Sequence, residues 1–90
     1  MGVKVNLHLT LRQYADGRET VEGEGKTVGE CLRNLVEMFP GLGPNLFNKK
    51  GGLNNIVEVY LNLQSAYPNE LVKPVKDGDE IHLTMILSGG

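Results

Sequence analysis

Three groups of residues in this 90-residue chain have types and spacing that could do chemistry: the paired glycines Gly89-Gly90, the lone Cys31, and His8 and His82 with Glu80. The diglycine is the best placed of them. Glycine has no Cβ, so two in succession can enter a slot too narrow for any side chain. Four extended residues, Leu87 to Gly90, reach roughly 13 Å beyond a folded body. A partner's buried site could then work on the carboxylate of Gly90 while gripping the body outside it. A free carboxylate is a poor electrophile, but an acyl-adenylate carries a leaving group that sulfide or an amine can displace. On this reading Gly90 is the reacting residue, Gly89 and Ser88 give access, and the protein supplies binding and reach, as group carriers do.

The other two groups are weaker. His8 and His82 fall on the polar alternants of segments that read as neighbouring strands, and Glu80 shares that face. Two histidines and a carboxylate can hold a metal. Ligand clusters normally bring a third strong donor, however, so a solvated sheet face is expected and no metal is assigned. Cys31 lies on the apolar stripe of a helix, where a free cysteine acts as a small, inert hydrophobe. It is the only cysteine, which excludes a disulfide framework or a cysteine-rich zinc site within one chain. No GxSxG, HExxH, P-loop or GxGxxG motif occurs. The interior therefore offers no enzyme, and no bound cofactor is expected.

Composition narrows the partners. Ninety residues suit one domain spanning 1–90, with 88–90 as an extended functional tail. A hydrophobic content of 40% is enough to fill one two-layer core. The net charge of −2, with no basic run longer than Lys49-Lys50, argues against nucleic acid. The longest apolar run is Met85-Ile86-Leu87, far short of the roughly 20 residues that span a membrane. The N-terminal residues lack the apolar stretch of a signal peptide. A cytoplasmic setting is expected.

The elements that must carry the tail can be read from periodicity. Val3, Val5, Leu7, Leu9 and Leu11 alternate with polar residues and predict a nine-residue strand. Asp16-Gly17 predicts a turn, with a short strand over Thr20 to Glu24 pairing back. Thr27-Val28-Gly29-Glu30 matches a capping box. Val28, Cys31, Leu32, Leu35 and Phe39 then follow at i, i+3, i+4, i+7 and i+11, predicting a helix that Pro40-Gly41 ends. Residues 41–55 read as an ordered loop with at most one helical turn around Leu46-Phe47. Val57 to Leu63 alternate as a third strand. Leu71 to Val75, with Pro74, suits an edge strand or irregular crossing. Asp77-Gly78-Asp79 turns the chain into a last strand, Glu80 to Leu87. This order predicts an α+β fold, a β-grasp with one main helix packed on one face of a mixed four- to five-stranded sheet.

Strict alternation buries only one or two of Met85-Ile86-Leu87. Ile86 is expected to lie exposed beside the tail and, with Leu87, to bind a partner.

Several stretches together carry a resemblance that covers nearly the whole chain in order. They are the Val-Lys-Val start, Phe39-Pro40-Gly41-Leu42 followed by Leu46-Phe47, and Val57-Glu58-Val59-Tyr60-Leu61-Asn62. Pro74-Val75-Lys76-Asp77-Gly78-Asp79-Glu80-Ile81 and Gly89-Gly90 complete them. At these residues the chain resembles the MoaD/ThiS sulfur carriers, relatives of ubiquitin. The resemblance implies adenylation of Gly90 by a ubiquitin-activating-type adenylyltransferase, with ATP used by that enzyme. It then implies a thiocarboxylate that donates sulfur, with molybdopterin synthesis as the expected destination and a larger synthase subunit as acceptor. One departure is Met85-Ile86-Leu87-Ser88, where the family often has Pro-Pro-Val. Two alternatives stand beside this reading: a protein modifier joined through Gly90 to lysines, and a carrier for thiamine, cysteine or tRNA thiolation.

Overall fold

The computed structural model describes residues 2–86. Strand β1 (Val3–Asn6) buries Val3 and Val5 and turns Lys4 and Asn6 outward. The expected continuation to Leu11 does not form. The chain leaves the sheet at Leu7 and winds into a 3₁₀ helix, Leu9–Ala15. His8 Nδ1 starts that helix by accepting a 3.2 Å hydrogen bond from the Thr10 amide. A local side-chain cap of this kind competes with the sheet ladder for the backbone. Leu7 and Leu11 stay buried while Leu9 points into solvent, a pattern that a straight strand could not produce. Asp16 and Gly17, at φ 55° and 77°, close the connection. Strand β2 (Thr20–Gly23) then returns antiparallel to β1, with Val21 opposite Val5.

Helix α1 (Val28–Met38) starts at Thr27, whose Oγ1 accepts from the Glu30 amide at 3.2 Å. Glu30 reaches back one residue further than a standard capping box, to the Lys26 amide at 2.7 Å. Val28, Cys31, Leu32 and Leu35 are buried, as the spacing predicts. Past Phe39 a 3₁₀ turn (Pro40–Leu42) leads into the single-turn helix α2 (Gly43–Leu46), and both anchor leucines, Leu42 and Leu46, are fully buried.

Strands β3 (Val57–Leu61), β4 (Gln64–Ser65) and β5 (Glu80–Met85) complete a sheet of order β2-β1-β5-β3-β4. β5 runs parallel to β1, with Ile81 opposite Val5, and antiparallel to β3, with Leu83 opposite Val59. This is the expected β-grasp. Three boundaries differ from the sequence reading. β3 stops at Leu61, because Asn62 and Leu63 take positive φ values of 50° and 70° and form a two-residue hairpin turn. The edge strand is Gln64–Ser65, whereas residues 70–72 form a 3₁₀ turn (Glu70–Val72) and Pro74 makes only an isolated bridge to Thr27. Proline has no amide to donate to a ladder, which is why no regular strand grows there. Finally, β5 ends at Met85, two residues before Leu87.

Candidate functional site at the end of the fifth strand

β5 is the central strand, held on both sides by β1 and β3. Ile81 and Leu83 face α1 and are buried, whereas His82 and Thr84 face outward and are partly covered. Central strands resist fraying, because each edge of the backbone is paired. The strand therefore delivers the chain that follows it from a fixed point. Ile86 extends that control by one residue: its amide donates a 2.7 Å hydrogen bond to the Ile56 carbonyl. Ile86 is 46% exposed, as expected for the surplus apolar residue beside the tail. Leu87, Ser88, Gly89 and Gly90 lie outside the described residues.

A pocket of about 490 Å³ opens beside Ile86. Leu53, Val57, Val59, Tyr67, Glu70 and Ile86 are among the residues that line it, while the Glu58 carboxylate turns to the outer face of the sheet and accepts from Thr84 Oγ1 at 3.2 Å. β4 pairs with Tyr60 and Leu61 of β3, and the Ala66 amide just beyond it donates to the Val59 carbonyl at 2.9 Å, so the pocket lies where this pairing gives out. Sequence reading missed this feature. The one signal available was Tyr67, a large aromatic in a Tyr67-Pro68-Asn69 segment otherwise typical of a surface bend.

The histidines do not make one site. His8 sits beyond β1, with its Nδ1 2.9 Å from Thr10 Oγ1 as well as bonded to the Thr10 amide. The expectation that His8 shares a strand face with His82 is thus corrected, since the strand that was to carry it ends at Asn6. His82 lies opposite Asn6 in the parallel pair and opposite Tyr60 in the antiparallel one. Its Nε2 is 3.2 Å from Glu80 Oε1, and Asn6 Nδ2 lies 3.4 Å from the ring. Among the described residues, no three His, Cys, Asp or Glu side chains come together in a way that could hold a metal ion. Cys31 is buried, and burial first, then the neighbouring Glu30 charge, pushes its thiol above the usual cysteine value. Such a thiol stays protonated and is a poor nucleophile.

The remaining perturbed group is Asp79. It accepts from the Lys76 amide at 2.9 Å and from Asn62 Nδ2 at 3.1 Å. These hydrogen bonds, the Lys76 amide foremost, hold its carboxyl below the ordinary aspartate range. Its place, in the turn before β5, makes it a structural anchor for the strand that carries the tail.

The sequence model of the ThiS family matches residues 5–90. The chain belongs to the ThiS family. It is a sulfur carrier of the ThiS/CysO type, a ubiquitin-like β-grasp protein like its relatives. The sulfur carrier protein CysO of Mycobacterium tuberculosis is 26% identical over 93 residues, covering 100% of each chain. Among solved structures, the Amycolatopsis orientalis BexX/CysO complex contains a chain that superposes with a TM-score of 0.88 at 28% identity, covering 99% of this ThiS-family chain and 100% of that one. The small archaeal modifier protein 1 of Methanosarcina acetivorans superposes with a TM-score of 0.87 at 28% identity, covering 98% and 95%. No helix among the described residues of this ThiS-family protein is long and apolar enough to cross a membrane.

Proposed function

We propose that the carrier works through the carboxylate of Gly90. A partner adenylyltransferase joins that carboxylate to the α-phosphorus of ATP, releasing pyrophosphate and leaving an acyl-adenylate. A sulfide donor then attacks the acyl carbon, AMP departs, and the tail ends in a thiocarboxylate whose sulfur passes to an acceptor. Gly89 and Ser88 form the narrow approach to the reacting carbon, and Ile86 and Leu87 contact the partner. The observation that supports this reading most is the reach of the family match, which runs through Gly89 and Gly90.

Molybdopterin synthesis is the destination the first resemblance implied. The CysO relatives shift the proposed destination toward the other sulfur pathways, cysteine synthesis first among them. The likeness to an archaeal modifier protein favours a second reading, conjugation of Gly90 to substrate lysines. Intact-mass measurement of protein from its native cell separates the two. Exchange of one terminal oxygen for sulfur marks a carrier, whereas a ladder of larger covalent conjugates marks a modifier.

The role of Gly90 itself is tested by ATP–pyrophosphate exchange with the cognate adenylating enzyme. Deleting Gly90 withdraws the carboxylate by about 3.5 Å. Misplacement of a reacting group on that scale costs orders of magnitude in rate. Normal exchange by a folded Gly90-deleted protein rules the proposed function out.

A further inference from the structure

The last described backbone hydrogen bond before the tail runs from the Ile86 amide to the Ile56 carbonyl. It continues the β3–β5 register by one residue: Val57 lies opposite Met85, so Ile56 lies opposite Ile86. In an antiparallel ladder, alternate opposed pairs exchange two bonds, one donated by each residue. Ile56 and Ile86 fall in that bonded phase, yet among the described residues only half of the exchange is made. The Ile56 amide donates instead to Asn54 Oδ1, at 3.2 Å.

The Asn54 backbone is fixed as well. Its amide donates to the carbonyl of the fully buried Leu46 at 2.8 Å, and its carbonyl accepts from the Val57 amide at 3.0 Å. Residues 54–57 thus form a turn closed twice, by a backbone bond and by an asparagine side chain that bonds two residues on. A run of hydrogen bonds leads from Leu46 in the core, through Asn54 and Ile56, to Ile86. The far end of the same ladder is built alike. There the Asn62 amide donates to the Glu80 carbonyl, while the Glu80 amide turns to Asn62 Oδ1. An asparagine side chain stops the pairing at each end.

Four residues follow Ile86, roughly 13 Å of extended chain. A swing of about 15° at Ile86 would move the end of such a chain by about 3 Å, and misplacement by about 1 Å can cost on the order of a hundredfold in rate. We propose that Asn54 is a positioning residue for the reaction at Gly90: it holds the Ile56 carbonyl toward Ile86, keeps the Ile56 amide out of the ladder, and so fixes where and in which direction the tail leaves the sheet. The inference rests on the function proposed for Gly90. Asn54 touches no reacting atom. It changes how often a bound carrier presents its carboxylate in place, so its loss falls on kcat and leaves KM for the carrier alone.

The test is ATP–pyrophosphate exchange with the adenylating enzyme of the same organism, with carrier concentration varied. Asn54→Ala is expected to lower kcat about tenfold with KM within about twofold of wild type. Asn54→Asp keeps an oxygen for the Ile56 amide and should retain kcat; Asn54→Ser should fall between, since a hydroxyl makes this turn more weakly. Asn48→Ala removes comparable bonds, to the Lys50 and Gly52 amides of another loop, and should match wild type. Two glycines inserted after Leu87 give the tail slack that no longer depends on its exit, so Asn54→Ala should cause no further loss in that background. Hydrogen exchange should show the Ile86 amide opening about tenfold faster in Asn54→Ala, with Leu83 unchanged. Wild-type kcat in Asn54→Ala, a change in KM alone, or an equal loss at both tail lengths overturns the proposal, and with the Gly90-deleted protein inactive the role of Gly90 then stands. Slower exchange at Ile86 also overturns it, because the ladder has then closed on the Ile86 carbonyl. Normal pyrophosphate exchange without Gly90 removes the function and the role of Asn54 together.

Discussion

Asn62 Nδ2 donates a 3.1 Å hydrogen bond to Asp79 Oδ1, tying the tip of the β3–β4 hairpin to the turn that launches β5. The tie is reinforced by its neighbours. The Asn62 amide donates to the Glu80 carbonyl at 2.8 Å, and the Glu80 amide donates to Asn62 Oδ1 at 2.9 Å. The Lys4 amide of β1 donates to the Asp79 carbonyl at 3.0 Å, so three strands meet at this corner. β5 begins here and ends at the tail, which makes the corner the far anchor of the functional strand.

Asp79 makes that anchor sensitive to acid. The fold favours its charged form, so its folded-state pKa lies below the ordinary value of 3.8. Its contribution is complete above that ordinary value and is lost as pH falls through the lower, folded-state one. Asp79→Ala should therefore be less stable than wild type at neutral pH, and the gap should close as pH drops below about 4. Urea midpoints measured from about pH 2 to about pH 7, a range that spans carboxylate titration, check this. A gap that stays constant with pH would remove Asp79 from the role.

Leu63 holds a left-handed φ of 70° with its side chain 78% exposed. It gains little from packing, and a two-residue hairpin of this kind prefers glycine at that position. Relief of left-handed strain is worth roughly 1–2 kcal/mol, against roughly 0.4–1 kcal/mol for glycine's greater freedom when unfolded, so Leu63→Gly should stabilise the protein by up to about 1 kcal/mol. A fall in the urea midpoint would show that Leu63 makes contacts that outweigh the strain.

Gly29 presents the opposite case. Alanine normally gains up to about 1 kcal/mol over glycine inside a helix. Here an added Cβ would lie 2.8 Å from the Leu71 carbonyl oxygen, a backbone atom that can yield only if the 3₁₀ turn Glu70–Val72 moves. Overpacking of this sort costs roughly 1–3 kcal/mol, so the clash wins and Gly29→Ala should destabilise. Thermal denaturation of the two proteins decides the sign.

Leu35 is fully buried between α1 and the sheet. Leu35→Ala should cost roughly 2–5 kcal/mol, as removal of buried leucine side chains does. A loss below about 0.5 kcal/mol, the range of surface sites, would contradict the packing of α1.

Hydrophobic period alone was enough to place the stretches that form β1, α1, β3 and β5, and the residues they bury. Val3, Val5, Val28, Leu32, Leu35, Val59, Ile81 and Leu83 all lie in the core. Period was a poor guide to where elements stop. Leu9 and Leu11 keep the alternation of β1, yet His8 caps a 3₁₀ helix and takes the chain out of the sheet. Leu63 continues the alternation of β3, but lies in the hairpin turn. Alternation records which side chains prefer burial, whereas a strand's end depends on whether the backbone finds a better hydrogen-bond partner nearby.

Residue type and order were thus sufficient for the β-grasp, for the buried and unreactive Cys31, and for the diglycine that stands as the candidate reacting end. These properties depend on the period of apolar residues and on the absence of a side chain, both of which are written in one dimension. The separation of His8 from His82, the corner formed by Asn62 and Asp79, and the pocket that brings Leu53, Tyr67 and Glu70 beside Ile86 were decided by tertiary structure. The first follows from the His8 cap that takes the chain out of the sheet after Asn6, whereas the other two join residues distant in the chain, which the strand order β2-β1-β5-β3-β4 makes neighbours.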